Sequence, residues 1–244
     1  MQPLLLLMAF ILASKAQAGT IIGGHEVKPH SRPYMAYLHR ITTSGRKTCG
    51  GFLVRKDFVL TAAHCSGSSI TVTLGAHDVG QHEGTQQVIP VKKIIPHPNY
   101  HPKFNDIMLL KLQRKAKLTA AVSLLRLPRR EEQVNPGMVC SVAGWGRLDL
   151  YTTTARLHEV ELEIQRNEQC ISLYRSHYNT TTQICVGNPE KKQSTFLGDS
   201  GGPLVCDNTA QGIVAFGKKN GKLPRVETRI SSFLPWIKRT MRRF

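Results

Sequence analysis

Hydrophobic positions along this chain recur at short intervals. Ile70, Val72 and Leu74 alternate with Thr71 and Thr73, the period-two pattern of a strand with one buried face. Val88 to Val91 and Val139 to Val142 are further short apolar runs, and glycine and proline punctuate the chain between such segments. No helical repeat, βαβ alternation or short-period repeat is visible, so the pattern predicts an all-β barrel or sandwich. Two helices interrupt it. One is short, over Asn167 to Tyr174 with Asn167 as N-cap. The other closes the chain: Ser231 or Ser232 caps it, Pro235 occupies its first turn, and Phe233, Ile237, Met241 and Phe244 share one face. Lys238, Arg239, Arg242 and Arg243 fall in its last turns, where cations suit the helix dipole; the other reading of them is an anion-binding face.

The first residues follow a different pattern. Leu4 to Ala13 is an apolar run of signal-peptide length, and Ala16-Gln17-Ala18 has the small-x-small form of a cleavage site, so residues 1–18 are expected to be a secretion signal. No later apolar run is long enough to span a membrane. Export implies an oxidising compartment, where the six cysteines should pair, and spacing alone does not choose the pairing. Thirty-three Lys+Arg against 16 Asp+Glu give a net charge of +17, which attracts polyanions. No nucleic-acid-binding motif accompanies the charge, and in an exported protein sulfated glycosaminoglycan is the expected polyanion. Asn179-Thr180-Thr181 is an N-glycosylation acceptor. His97 and His101 are each followed by proline and belong to a solvated loop; neither a metal nor another cofactor is expected.

Three stretches carry candidate chemistry. Gly198-Asp199-Ser200-Gly201-Gly202-Pro203 sets one serine among small residues, where main-chain N–H groups can approach a reacting atom. Leu60-Thr61-Ala62-Ala63-His64-Cys65 supplies a histidine, and Asn105-Asp106-Ile107-Met108-Leu109-Leu110 an acid at the mouth of an apolar run. A hydroxyl attacks an amide poorly unless a base takes its proton, and histidine can do so near neutral pH. The order His, Asp, Ser is one of those in which this triad occurs.

With Ile21-Ile22-Gly23-Gly24, these motifs resemble the chymotrypsin-fold serine proteases. Within them the chain is similar to the granzyme, cathepsin G and mast-cell chymase branch. The granzyme B and H group is suggested by Lys28-Pro29-His30-Ser31-Arg32-Pro33-Tyr34-Met35-Ala36-Tyr37, Val72-Thr73-Leu74-Gly75-Ala76-His77 and Phe233-Leu234-Pro235-Trp236-Ile237-Lys238. The resemblance implies two six-stranded antiparallel β-barrels, about 21–127 and 128–230, and a C-terminal helix over about 231–244. Residues 19–20 would be an activation dipeptide, whose removal lets the Ile21 ammonium pair with Asp199. The implied disulfides are Cys49–Cys65, Cys140–Cys206 and Cys170–Cys185. Ser200 would be the nucleophile, His64 the base and Asp106 its orienting acid, with the N–H groups of Gly198 and Ser200 as oxyanion hole.

The implied primary pocket has Ser194 at its floor, Ala215, Phe216 and Gly217 along one wall, and Arg225 and Glu227 on the far wall. Arg225 would clasp an acidic side chain before the cut. Glu227, two residues on and facing the same side of a strand, would oppose it by pairing with Arg225, leaving a hydrophobic, chymase-like preference as the competing expectation. Ala215 stands where the family has serine, which predicts weaker turnover. The stretch from His97 to Asp106 is about two residues shorter than in the granzymes. The implied biology is a secreted, granule-stored endopeptidase acting on proteins in cell killing, with a proteoglycan partner and a serpin inhibitor. A second class of function is a cationic binder on the same fold; family members that took that path lost triad residues, whereas all three are present here.

Overall fold

The computed structural model describes residues 24–146, 153–191, 200–218 and 221–244. Six strands close the first barrel: β2 (Met35–Thr42), β3 (Gly45–Arg55), β4 (Phe58–Thr61), β5 (Ser69–Leu74), β6 (Gln87–Pro96) and β7 (Met108–Leu112), in the order β2-β3-β4-β7-β6-β5. All neighbours are antiparallel. In β5 the predicted alternation is present: Ile70, Val72 and Leu74 point into the core and the threonines are partly exposed. Phe52, Phe58, Leu60, Leu109 and Leu110 fill the interior with them.

The second sheet comprises β1 (His25–Glu26), β8 (Val139–Gly144), β9 (His158–Glu163), β10 (Gln183–Val186), β11 (Pro203–Cys206), β12 (Thr209–Phe216) and β13 (Arg225–Arg229). Its order is β1-β9-β8-β11-β12-β13-β10, seven strands where six were expected, because the two residues of β1 add to β9. The end of β9 approaches the edge strand β10 through a bridge, Ile164 to Val186. Its own core is built from Val142, Val160, Leu162, Ile184, Leu204 and Val214. Three disulfides form, Cys49–Cys65, Cys140–Cys206 and Cys170–Cys185.

Both expected helices form, but neither uses the expected cap. Helix α1 spans Asn167–Tyr174 with Arg166 at the N-cap position and no side-chain cap. Asn167 Oδ1 instead accepts from the Tyr178 hydroxyl at 2.6 Å. Helix α2 spans Leu234–Arg243 after a single 3-10 turn over Ile230–Phe233, and Phe233 is its N-cap residue. Ser232 Oγ donates to Thr181 O at 2.6 Å and is not available to the helix. The buried face of α2 is Leu234, Trp236, Ile237 and Thr240, with Met241 partly buried and Phe244 exposed. That face packs on the first barrel, so the chain returns to its first half at its end. His97 is not fully solvated: its ring packs edge-on against Phe233 and Trp236, 5.2 and 5.1 Å between centroids.

A charged knot fastens α2. Asp57 accepts from Arg55 Nε and Lys111 Nζ, each at 2.5 Å, while Arg55 Nη1 donates to Met241 O in α2. Burial pushes the Asp57 carboxyl up, and the hydrogen bonds from Arg55 and Lys111 outweigh it and hold the group below its ordinary value. A depressed folded-state pKa stabilises above the unfolded carboxylate value of about 4 and is lost as pH falls through the folded value. Asp57→Asn is therefore expected to cost about 2 kcal/mol in urea unfolding at neutral pH. The difference between the two proteins should shrink as pH falls below about 4; a gap that is constant with pH would assign the effect to shape and not to charge.

Candidate active site

The site lies between the two sheets, and each side chain reaches it for a local reason. Strand β4 is wholly buried and ends in a 3-10 helix, Ala63–Cys65, that carries His64. The Cys49–Cys65 disulfide ties this turn to β3. Asp106 precedes β7 and is buried. Its Oδ1 accepts from the His64 main-chain N–H at 2.9 Å and its Oδ2 lies 2.7 Å from His64 Nδ1. Its main-chain carbonyl accepts from Thr228 Oγ1 at 3.0 Å, which joins the second sheet to the acid loop of the first. A carboxylate at Nδ1 assigns the proton to that nitrogen and leaves Nε2 bare as an acceptor. The His64 side chain keeps 30% of its surface exposed against 4% for Asp106, so the ring faces the cleft while the acid does not.

Ser200 is brought to this pair by its neighbour. Gly201 has φ +83°, and a Cβ there would run into Thr61 Oγ1 and lie 2.6 Å from Gly50 O. Only glycine allows both the turn and the approach to β3 and β4. Main-chain bonds then lock the segment: Gly50 N–H to Ser200 O at 2.8 Å, Gly201 N–H to Val214 O at 2.9 Å and Val214 N–H to Gly202 O at 2.9 Å.

His64 and Ser200 line one cleft of about 830 Å³, with Ala215, Phe216, Gly217 and Arg225. The register of β12 against β13 shifts between Val214 and Phe216, and this bulge turns Ala215 toward the cleft. Phe216 stands edge-on to Tyr174 at 5.4 Å. Arg225 is 9% exposed, and its guanidinium lies close against Gly217: a Cβ at Gly217 would be 2.6 Å from Cζ and Nη1. Glu227 is fully buried between Val214 of β12 and Ile184 of β10 and is not part of the cleft lining. Ile21, Ser194, Gly198 and Asp199 lie outside the described residues.

Other cleft residues carried no motif. Arg40, Lys47, Trp145 and Lys218 also line it, and nothing local in the sequence marks them. Two sulfur atoms stand near the His64 ring, but Cys49 and Cys65 are bonded to each other and offer no thiolate to a metal. Asn179 is exposed on the turn after α1. Among the described residues no helix is long and apolar enough to cross a membrane.

The family model described as Trypsin matches residues 21–237. Granzyme H and granzyme B of Homo sapiens are each 59% identical to the chain, covering 100% of it and 100% of their own length. Mast cell protease 3 of Ovis aries is 59% identical over 99% of the chain and 97% of its own length. A solved structure titled "Structure of GrC" superposes with a TM-score of 0.88 at 54% identity, covering 91% of this chain and 100% of its own. The chain belongs to the trypsin family and is a serine endopeptidase closely related to the granzymes.

Proposed function

We propose that the protein cuts peptide bonds after acidic residues, using Ser200, His64 and Asp106. The reading is carried by one observation: a guanidinium, that of Arg225, lies on Gly217 in the wall of the cleft that holds Ser200 and His64. A carboxylate entering there meets a fixed fork of N–H donors and can take two charge-assisted hydrogen bonds.

In the mechanism, Ser200 Oγ attacks the scissile carbonyl carbon as its proton passes to His64 Nε2. Asp106 Oδ2 holds the Nδ1–H and offsets the charge of the imidazolium. The tetrahedral oxyanion is stabilised by the N–H groups of Ser200 and Gly198. His64 then gives its proton to the departing amine, leaving an acyl group on Ser200 that water removes by the same route. Once Ile21 is freed as the N-terminus, its ammonium pairs with Asp199 and orders the Ser200 segment, since a buried charge needs a partner.

The biology proposed with this chemistry is a secreted enzyme stored in granules and released in cell killing. Support comes from the relatives and the expected signal over residues 1–18. Storage on a sulfated proteoglycan is supported by the charge of +17 and by Lys238, Arg239, Arg242 and Arg243, which line a shallow groove with Pro235 on α2. A glycan on Asn179 and control by a serpin complete the reading.

A peptide library varied at the residue before the cut tests the specificity on the processed wild-type enzyme. Aspartate or glutamate should exceed leucine or phenylalanine by at least about a hundredfold in kcat/KM. A preference for the large apolar residues would replace this reading with the chymase-like one, which the burial of Glu227 on the strand of Arg225 would then explain.

A further inference from the structure

The catalytic turn is held from a second side. The 3-10 helix Ala63–Cys65 uses few of its own carbonyls: Cys65 N–H bonds to Ala62 O and Ser66 N–H to Ala63 O. The carbonyls of His64 and Ser66 point the other way, toward β2. There Arg40 Nη1 donates to both, at 3.1 Å to His64 O and 2.8 Å to Ser66 O. A cation at the carbonyl end of a helical turn satisfies orphan acceptors and suits the local dipole. Ser68 N–H bonds to Ile41 O at 2.9 Å, and a Cβ on Gly67 would lie 2.5 Å from the same carbonyl. The whole turn is thus pressed against the end of β2.

We infer that Arg40 is a positioning residue for catalysis, holding the carbonyl of His64 while Asp106 holds its N–H. With both main-chain groups tied, φ and ψ of His64 are fixed, and with them the direction in which the imidazole leaves the backbone. The disulfide at Cys65 anchors the next residue and leaves that direction open. Arg40 is suited to the role because no carboxylate pairs with it among the described residues and its Nε is shielded from solvent. It differs in this from Arg32 and Arg55, which are bound to Glu159 and Asp57. Burial alone pulls its pKa below the usual arginine value, and the group stays charged at any working pH. Arg40 also lines the cleft, yet its bonds run to the turn.

The inference rests on the triad reading of Ser200, His64 and Asp106. It is tested on the processed enzyme with a chromogenic peptide that ends at the scissile bond and so makes no contact beyond it. Sites are counted by end-point labelling of Ser200 with a fluorophosphonate, so that kcat refers to folded protein. Arg40→Met should lower kcat per site about tenfold or more with KM within about twofold, because a small misplacement of a catalytic group is costly. Arg40→Lys should fall between Arg40→Met and wild type. Guanidinium ion at a sub-denaturing concentration should raise kcat of Arg40→Ala and leave the wild type unchanged. Unaltered kcat in all three variants, an effect confined to KM, or a loss that guanidinium leaves in place and that tracks the melting temperature would overturn it. An inactive, unlabelled wild type would instead defeat the triad reading.

Discussion

Ser200→Ala is expected to lower kcat about a millionfold on every peptide substrate, with the fold and KM little changed. The substitution removes one hydroxyl and nothing else that holds the segment. The bonds that place residue 200 are main-chain ones, from Gly50 N–H to its carbonyl and between its neighbours and Val214. They survive the change, as does the glycine at 201 that makes the approach to Thr61 and Gly50 possible. The Asp106–His64 pair also survives, so a variant that keeps its melting temperature and loses turnover isolates the nucleophile. His64→Ala should cost about as much, and the double variant little more, because in the proposed mechanism the two groups act on one proton. Circular dichroism and kcat measured on the same preparation decide it. Retention of kcat within about tenfold in Ser200→Ala would remove Ser200 from the role.

The parts of the site that could be read from the chain are those whose geometry is local. His64 sits at the end of a buried strand and Asp106 at the start of another, and both strands are plain in the hydrophobic pattern. β4 and β7 pair side by side, Thr61 opposite Met108, which carries His64 and Asp106 to the same end of the barrel. Gly201 is legible only as one of the glycines that flank Ser200; its φ of +83° and its approach to Thr61 and Gly50, distant in the chain, are not. Arg40 is not legible in this way. The carbonyls it holds are 24 and 26 residues further on, and an arginine on a strand carries no sign of which acceptor it will find. The helix caps failed for a related reason. Asn167 and Ser232 have short polar side chains that suit a cap, but tertiary partners, Tyr178 and Thr181, claim them first. The seventh strand escaped notice because two residues, His25 and Glu26, are too few to show a period.

On the proposed reading, primary specificity turns on Arg225 and Glu227 of β13, and their replacement should have the next largest effect. Arg225→Ser is expected to reduce kcat/KM for peptides cut after aspartate by about a thousandfold or more, since a carboxylate desolvated without its fork of donors is severely penalised. Peptides with leucine before the cut should lose little, because the aromatic and glycine wall at Phe216 and Gly217 is untouched. Glu227→Gln should act in the opposite direction. It keeps the shape of a side chain buried between Val214 and Ile184 and replaces a carboxyl two residues from Arg225 with an amide. On the proposed reading that carboxyl competes with substrate for Arg225, so cleavage after aspartate should rise about tenfold. For Arg225→Ser the loss should appear in KM and kcat together, as expected where the clasp helps to seat the scissile bond at Ser200. If Arg225→Ser keeps the wild-type ratio of aspartate to leucine cleavage, the guanidinium is a wall and not a selector. In that case the acid preference, if measured, must be assigned to another cation of the cleft.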